Sequence, residues 1–212
     1  MESAIPSSRS SSRVDLATWV WPVLLLTALY VVAGRLALEL TYYDDKVTLV
    51  VWPPAGLSLA ALILFGRRLW PGVFIGALLV NLGIPFGWIS SVGIAIGDTL
   101  EALVSVTLLI RVADFRPTLE RMRDGVSFLL ISVVGCTTIS TTIGTVSVLL
   151  LGGMGADRFW LVWPVWWLGT AGGVLVVTPV LLMLARGTPS WRSLARRLES
   201  WLALAFRPGP LP

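Results

Sequence analysis

The 212-residue sequence predicts an all-α fold, a polytopic membrane helical bundle with about six transmembrane helices. Three observations predict it. Hydrophobic residues make up 56% of the chain and charged residues 13%, with a mean hydropathy of +0.84. A soluble domain carries roughly 25% charged residues, so this chain has too little polar surface to cover a globule in water. Long apolar runs recur along the chain, broken by short polar turns. The arginines gather at the ends of those runs. The net charge of +4 is therefore a topology signal, not the footprint of a nucleic-acid partner.

Residues 1–15 are rich in Ser and Arg and read as a disordered cytoplasmic N-terminus. The first span is Leu16–Leu38. It exceeds the ~7–15 residues of a signal-peptide core, and no small-residue cleavage site comes after it, so it is expected to be retained. Thr48–Phe65 and Leu69–Pro85 form a hairpin around the basic turn Gly66-Arg67-Arg68. Each covers a ~30 Å hydrocarbon layer only barely. Trp88–Ile110, Gly125–Leu151 and Phe159–Leu184 complete the spans, so that 16–185 is the membrane bundle. Residues 186–212 read as a basic cytoplasmic tail. In it Trp191, Leu194, Leu198, Trp201 and Ala205 recur at helical spacing, with Arg192, Arg196 and Arg197 off the stripe.

The loop charges alternate. Arg9 and Arg13 precede the first span; Arg67 and Arg68 follow the second; Arg111, Arg116, Arg121 and Arg123 follow the fourth; Arg186, Arg192, Arg196, Arg197 and Arg207 follow the sixth. The intervening loops hold only Lys46, none, and Arg158. The positive-inside rule then puts both termini in the cytoplasm of a multi-pass protein of the bacterial plasma (inner) membrane. Trp19, Trp21 and Trp70 fall near the inner interface and Trp88, Trp160 and Trp163 near the outer one, as an aromatic belt.

Ionisable residues in hydrocarbon cost about 2.5–3.5 kcal/mol each at the centre on insertion scales. Arg35 and Glu39 lie four apart in the first span, so they can pair on one face. Asp98 and Glu101 lie three apart in the fourth. Two carboxylates so close repel when both ionise, so one holds a proton or a cation lies near. Arg35 is expected to face one of them. Two readings stay open for this group: a static buried ion pair, and a sensing site.

Glu39, Trp52, Asn81, Asp98, Trp166 and Thr170 fall at one depth. That level suggests a shared pocket opening outward, or ordinary hydrogen bonding between helices. Pro53 and Pro54 lack two amides, so a helix must kink or begin there. A helix that begins inside a membrane aims N–H groups at its surroundings, and transporters use such ends to bind anions. Gly72 with Gly76, and Gly93 with Gly97, lie on helical stripes that permit close packing. Thr137, Thr138, Ser140, Thr141, Thr142 and Thr145 return hydrogen bonds to their own helix or line a polar path.

The chain has no histidine, which removes the commonest metal ligand, the usual general base and any phosphoacceptor histidine. No nucleophile–base pair is evident, so no catalytic residue, metal or cofactor is expected. The lone cysteine, Cys136, reads as a packed thiol. Gly152-Gly153-Met154-Gly155 lacks the lysine and the strand–helix setting of a phosphate loop and reads as a turn.

One ordered set of motifs goes further. Trp52-Pro53-Pro54-Ala55-Gly56 is followed by Phe65-Gly66, Trp70-Pro71-Gly72, Gly76 and Asn81. Then come Gly97-Asp98-Thr99-Leu100-Glu101-Ala102 and Trp166-Trp167-Leu168-Gly169 with Gly173 and Pro179. In order and spacing this resembles the first class of bacterial membrane-associated sensor (MASE) domains, over roughly Leu16 to Leu184. The resemblance implies a non-enzymatic sensory module in the lipid bilayer. Such a module detects an unidentified small ligand or membrane state and works with a cytoplasmic kinase or cyclic-nucleotide signalling partner, with a homodimer as one arrangement. Thr170 stands where that family often has an acidic residue. The family typically has about eight spans, so the resemblance implies a C-terminally truncated form. Arg35, Glu39, Trp52, Pro53, Pro54, Asn81, Asp98, Glu101, Trp166, Trp167 and Thr170 are the candidate sensing and coupling residues. The alternative reading is a transporter or channel subunit using the mid-membrane carboxylates, though no inverted repeat supports it.

Overall fold

The computed structural model describes residues 11–41, 51–85, 87–153 and 155–185. The expected amphipathic tail and the loop holding Lys46 lie outside the described residues, as do residues 1–10. Every regular element among the described residues is helical: α1 (Ser11–Thr41), α2 (Pro53–Phe65), α3 (Trp70–Asn81), α4 (Trp88–Arg111), α5 (Met122–Leu151) and α6 (Phe159–Ala185). Short 3-10 turns at Arg67–Leu69 and Ala156–Arg158 lead into α3 and α6.

Four stretches are long and apolar enough to cross a membrane: Trp19–Leu40 within α1, Trp88–Arg111, Met122–Leu151 and Ala156–Ala185. The hairpin helices are shorter than the sequence suggests. α2 has 13 residues and α3 has 12, which at about 1.5 Å per residue is roughly 20 Å, less than the ~30 Å hydrocarbon layer. The second expected span, Thr48–Phe65, shortens for a local reason. Pro53 and Pro54 occupy the first two helical positions, where a missing amide costs least, so the helix begins at them and does not kink through them. The third, Leu69–Pro85, ends its helix at Asn81, and Leu82, Gly83 and Ile84 continue in tight turns.

Helix α5 carries a π-helical segment, Phe128–Cys136, between two α-helical stretches. Wide turns of this kind are rare, and they rotate the α-helical stretch beyond them relative to the one before. Gly135 lies where an added Cβ would stand 3.2 Å from the Leu130 carbonyl, five residues back.

Glycines set the packing. At Gly72 a Cβ would meet the Val23 carbonyl and Leu26, and at Gly76 it would meet the Tyr30 ring, so α3 lies close against α1. At Gly93 it would run into Ser147 and at Gly97 it would press on Ser140, so α4 lies close against α5. These are the stripes of small residues expected from the sequence, here used for backbone approach. The interior holds Tyr30, Leu59, Leu62, Val73, Val80, Val106, Leu109, Val174 and Leu182. The outside is equally apolar: Leu36, Leu130, Leu150, Leu161 and Met183 are all exposed. A chain with apolar side chains both inside and outside has lipid as its solvent.

Candidate functional site

Helix α4 is the axis of the site. Asp98 and Glu101 lie one turn apart on it, and each reaches a different neighbour. The Tyr30 hydroxyl of α1 donates to Asp98 Oδ2 over 2.6 Å. The Ser140 hydroxyl of α5 donates to Glu101 Oε2. Both Tyr30 and Glu101 are buried, and Asp98 is half-buried. One helix turn thus ties α1 to α4 and α4 to α5 through two carboxyl groups.

The geometry depends on the glycine contacts. Gly97 precedes Asp98 and brings the α4 backbone against Ser140. Gly76 brings α3 against the Cβ of Tyr30, fixing the ring whose hydroxyl meets Asp98. A bulkier residue at either place would separate the partners.

The entrance to α2 lies beside this pair. The Trp52 side chain stands next to the Tyr30 hydroxyl, and its backbone N–H bonds the Gly169 carbonyl of α6 at 2.8 Å. Its own carbonyl lies against Gly173, where a Cβ would overlap it. Gly56 lies on the Gly173 carbonyl in the same way, and the Thr178 hydroxyl donates to the Gly56 carbonyl at 3.0 Å. The Trp-Pro-Pro-Ala-Gly segment and the glycines after Trp166-Trp167 are therefore two halves of one backbone-to-backbone joint.

No free amide is left at the N-cap and first three positions of α2. Trp52 N–H bonds Gly169, Pro53 and Pro54 have none, and Ala55 N–H bonds the Trp52 carbonyl at 3.2 Å. The anion-binding end that a broken membrane helix could offer is not formed here, because its donors are absent or used.

Arg35 does not face either carboxyl group, contrary to expectation. Its guanidinium lies over Gly83 and reaches the Leu79 carbonyl at 3.5 Å, near the C-terminal end of α3. There it complements the negative end of the helix dipole. Arg35 and Glu39 are both exposed. Among the remaining expected members, Asn81 is buried but bonds the Ala77 carbonyl of its own helix at 2.8 Å. Trp166 packs on Gly144. Thr170 is buried one residue from Gly169. The Trp167 ring stacks on Trp163, whose indole donates to the Thr142 hydroxyl at 3.1 Å. The structure thus brings Trp52 and Asp98 together through Tyr30, with Pro53 and Pro54 behind them, and leaves Arg35, Glu39, Asn81 and Trp166 elsewhere.

Two residues of the site escape sequence reasoning. Tyr30 belongs to no ionisable pair and no motif; the available signal is that it is a hydroxyl-bearing aromatic deep inside an otherwise apolar run. Ser140 falls in the sequence among hydroxyls expected to bond back to their own helix. That expectation holds for Thr137 and Thr138, which bond the Val133 and Val134 carbonyls at 2.6 and 2.9 Å, and in part for Ser140, whose hydroxyl lies 3.2 Å from the Thr137 carbonyl as well as against Glu101. Thr141 and Thr145 are buried and, like Ser132, make no hydrogen bond to protein through their hydroxyls.

Among the described residues no cluster of three or more Cys, Asp or Glu is placed to hold a metal ion. No curated protein and no solved structure matches this chain. The family model MASE1, a membrane-associated sensor domain, matches residues 21–206. That match spans the Trp52–Gly56 joint, the carboxyl pair on α4 and the glycines of α6, and the chain belongs to the MASE1 family.

Proposed function

We propose that this chain is the sensory part of a bacterial inner-membrane signalling protein, with both termini in the cytoplasm. It detects a small ligand or a membrane state at the level of Asp98 and Glu101. It passes a shift of helices to a cytoplasmic kinase or cyclic-nucleotide signalling partner. The observation that carries this reading is the pair of single hydroxyl contacts, Tyr30 to Asp98 and Ser140 to Glu101. Each is one bond that joins α4 to a neighbouring helix. A stimulus that changes either carboxyl group changes how α1, α4 and α5 sit together, which is the differential contact a two-state switch requires. The donor-poor start of α2 weighs against a transporter that binds anions at a broken helix.

Cys136 is a built-in reporter, being the only cysteine and buried at the end of the π segment, one turn from Ser140. Glu101→Gln preserves size while removing the charge. In native membranes the rate of Cys136 modification by a membrane-permeant maleimide is expected to change in Glu101→Gln, in the same direction as in Ser140→Ala. A shift of ~1 kcal/mol in the underlying equilibrium changes that rate about fivefold. Unchanged modification in both variants, with folding intact, removes the carboxyl level from the switch. Solute flux in reconstituted vesicles carrying the wild-type chain would support the transporter reading instead.

A further inference from the structure

We infer that the chain carries a specific site for an anionic phospholipid, in the groove between α1, α2 and α6 with its mouth at the Arg67-Arg68 turn. The groove has a volume of about 310 Å³ and walls that are almost wholly apolar, from residues including Leu25 and Leu29 of α1, Ala60 and Leu64 of α2, and Leu181 of α6. Its size falls at the lower end of small-molecule sites, which run ~300–1,000 Å³. Leu25 and Leu29 are half-exposed along it, so it opens to the bilayer and is no sealed cavity. Its chemistry selects a hydrocarbon chain and nothing polar.

Charge at the mouth specifies which lipid. Phe65 and Leu69 line the end of the groove, and between them in the chain stand Gly66, Arg67 and Arg68. The turn is rigid. The Gly66 N–H bonds the Leu62 carbonyl and the Leu69 N–H bonds the Gly66 carbonyl. Gly66 holds a positive φ of 99° that favours glycine. Arg67 is steadied by the Thr107 hydroxyl of α4 at 3.3 Å, while Arg68 is exposed and has no protein partner among the described residues. Trp70 and Trp21 are exposed near the same end, where indoles mark the headgroup level. Two arginines in the turn that joins Phe65 to Leu69, the lining residues at this end of the groove, match a phosphodiester with a net negative charge better than a zwitterionic one. The site is separate from the Asp98–Glu101 level and does not depend on the sensory reading.

The test uses the full chain extracted in mild detergent, stripped of lipid and titrated with phosphatidylglycerol or phosphatidylcholine. Retained lipid is read by native mass spectrometry and thermal stability by tryptophan fluorescence. The expected result is one retained phosphatidylglycerol per chain, and a stabilisation by it that phosphatidylcholine does not reproduce and that weakens in high salt. Arg67→Gln with Arg68→Gln should abolish the difference between the two lipids while leaving the fold unchanged, since both side chains are exposed. Leu29→Trp, which fills the groove from its exposed wall, should abolish retention, whereas Leu36→Trp, exposed on the same helix away from the groove, should not. Equal effects of the two lipids, or a preference that survives the arginine substitutions, overturns the assignment. So does a chain that retains no lipid yet loses stability in Leu29→Trp, which would mean that protein fills the groove, from this chain or a second copy.

Discussion

At the scale of single residues, the site is two hydrogen bonds in hydrocarbon. A polar contact between membrane helices is worth less than its surroundings suggest, about 0.6 kcal/mol on average and ~1.7 at most, because the unfolded chain in the bilayer also finds partners. Tyr30 and Asp98 approach at 2.6 Å, at the short end of O–H···O contacts. The double-mutant cycle of Tyr30→Phe and Asp98→Asn should therefore show a coupling energy in the upper part of that range, read from unfolding in a denaturing detergent. A cycle pairing Tyr30→Phe with Asn81→Leu should show none, because Asn81 bonds its own helix. A coupling of zero in the first cycle would make the Tyr30 contact incidental. The carboxyl pair is legible in the sequence because charges in apolar runs stand out. Its partners are not. A hydroxyl announces no partner, since one rotation sends it to its own backbone and another to a neighbour, and only packing decides.

At the scale of elements, glycine is the residue that positions everything. The Trp52–Gly56 entrance to α2 and the Gly169–Gly173 stretch of α6 touch backbone to backbone. Gly173→Ala places a methyl group on the Trp52 carbonyl, so something must shift; overpacking of this kind costs about 1–3 kcal/mol. Gly125→Ala is the control. Gly125 is exposed near the start of α5, and nothing lies within 4 Å of the added carbon. Replacing it should raise stability by about 0.5–1 kcal/mol through helix propensity. Thermal unfolding of the two variants in detergent should thus move in opposite directions, and a neutral Gly173→Ala would mean that the joint is loose. The motifs of this joint are visible in the sequence as separate segments more than a hundred residues apart. That they close on each other is not visible there, because glycine records a close approach without naming what approaches. The start of α2 is half legible: two adjacent prolines require a kink or a beginning, and the carbonyl of Gly169 that receives the Trp52 amide lies on a distant helix. The π segment has no sequence signal that we can name.

At the scale of the whole molecule, orientation is the property that makes a sensor directional. Helix α5 decides it most cleanly. It runs from Met122 to Leu151, 30 residues, and so spans about 45 Å, enough to put its two ends in different aqueous phases. Before it come Arg111, Arg116 and Arg121, with Arg123 in its first turn; after it, up to α6, there is only Arg158, beside Asp157. By the positive-inside rule that asymmetry predicts a cytoplasmic first end. Single cysteines at Arg121 and Asp157, both exposed, test it on a background in which Cys136 is alanine. A membrane-impermeant maleimide should label Asp157→Cys in intact spheroplasts and Arg121→Cys only after the membrane is opened. The reverse pattern would invert the molecule and place the Arg67-Arg68 turn outside. Labelling of both in intact spheroplasts would mean that α5 does not cross at all. The alternation of charge is readable from the sequence because it depends only on where the arginines fall between apolar runs. Depth is less so: α2 and α3 have apolar sequence to spare beyond their helices, and it is proline and tight turns, not hydropathy, that shorten them to 13 and 12 residues. The hairpin packs on α1, α4 and α6, and its basic turn lies at the surface.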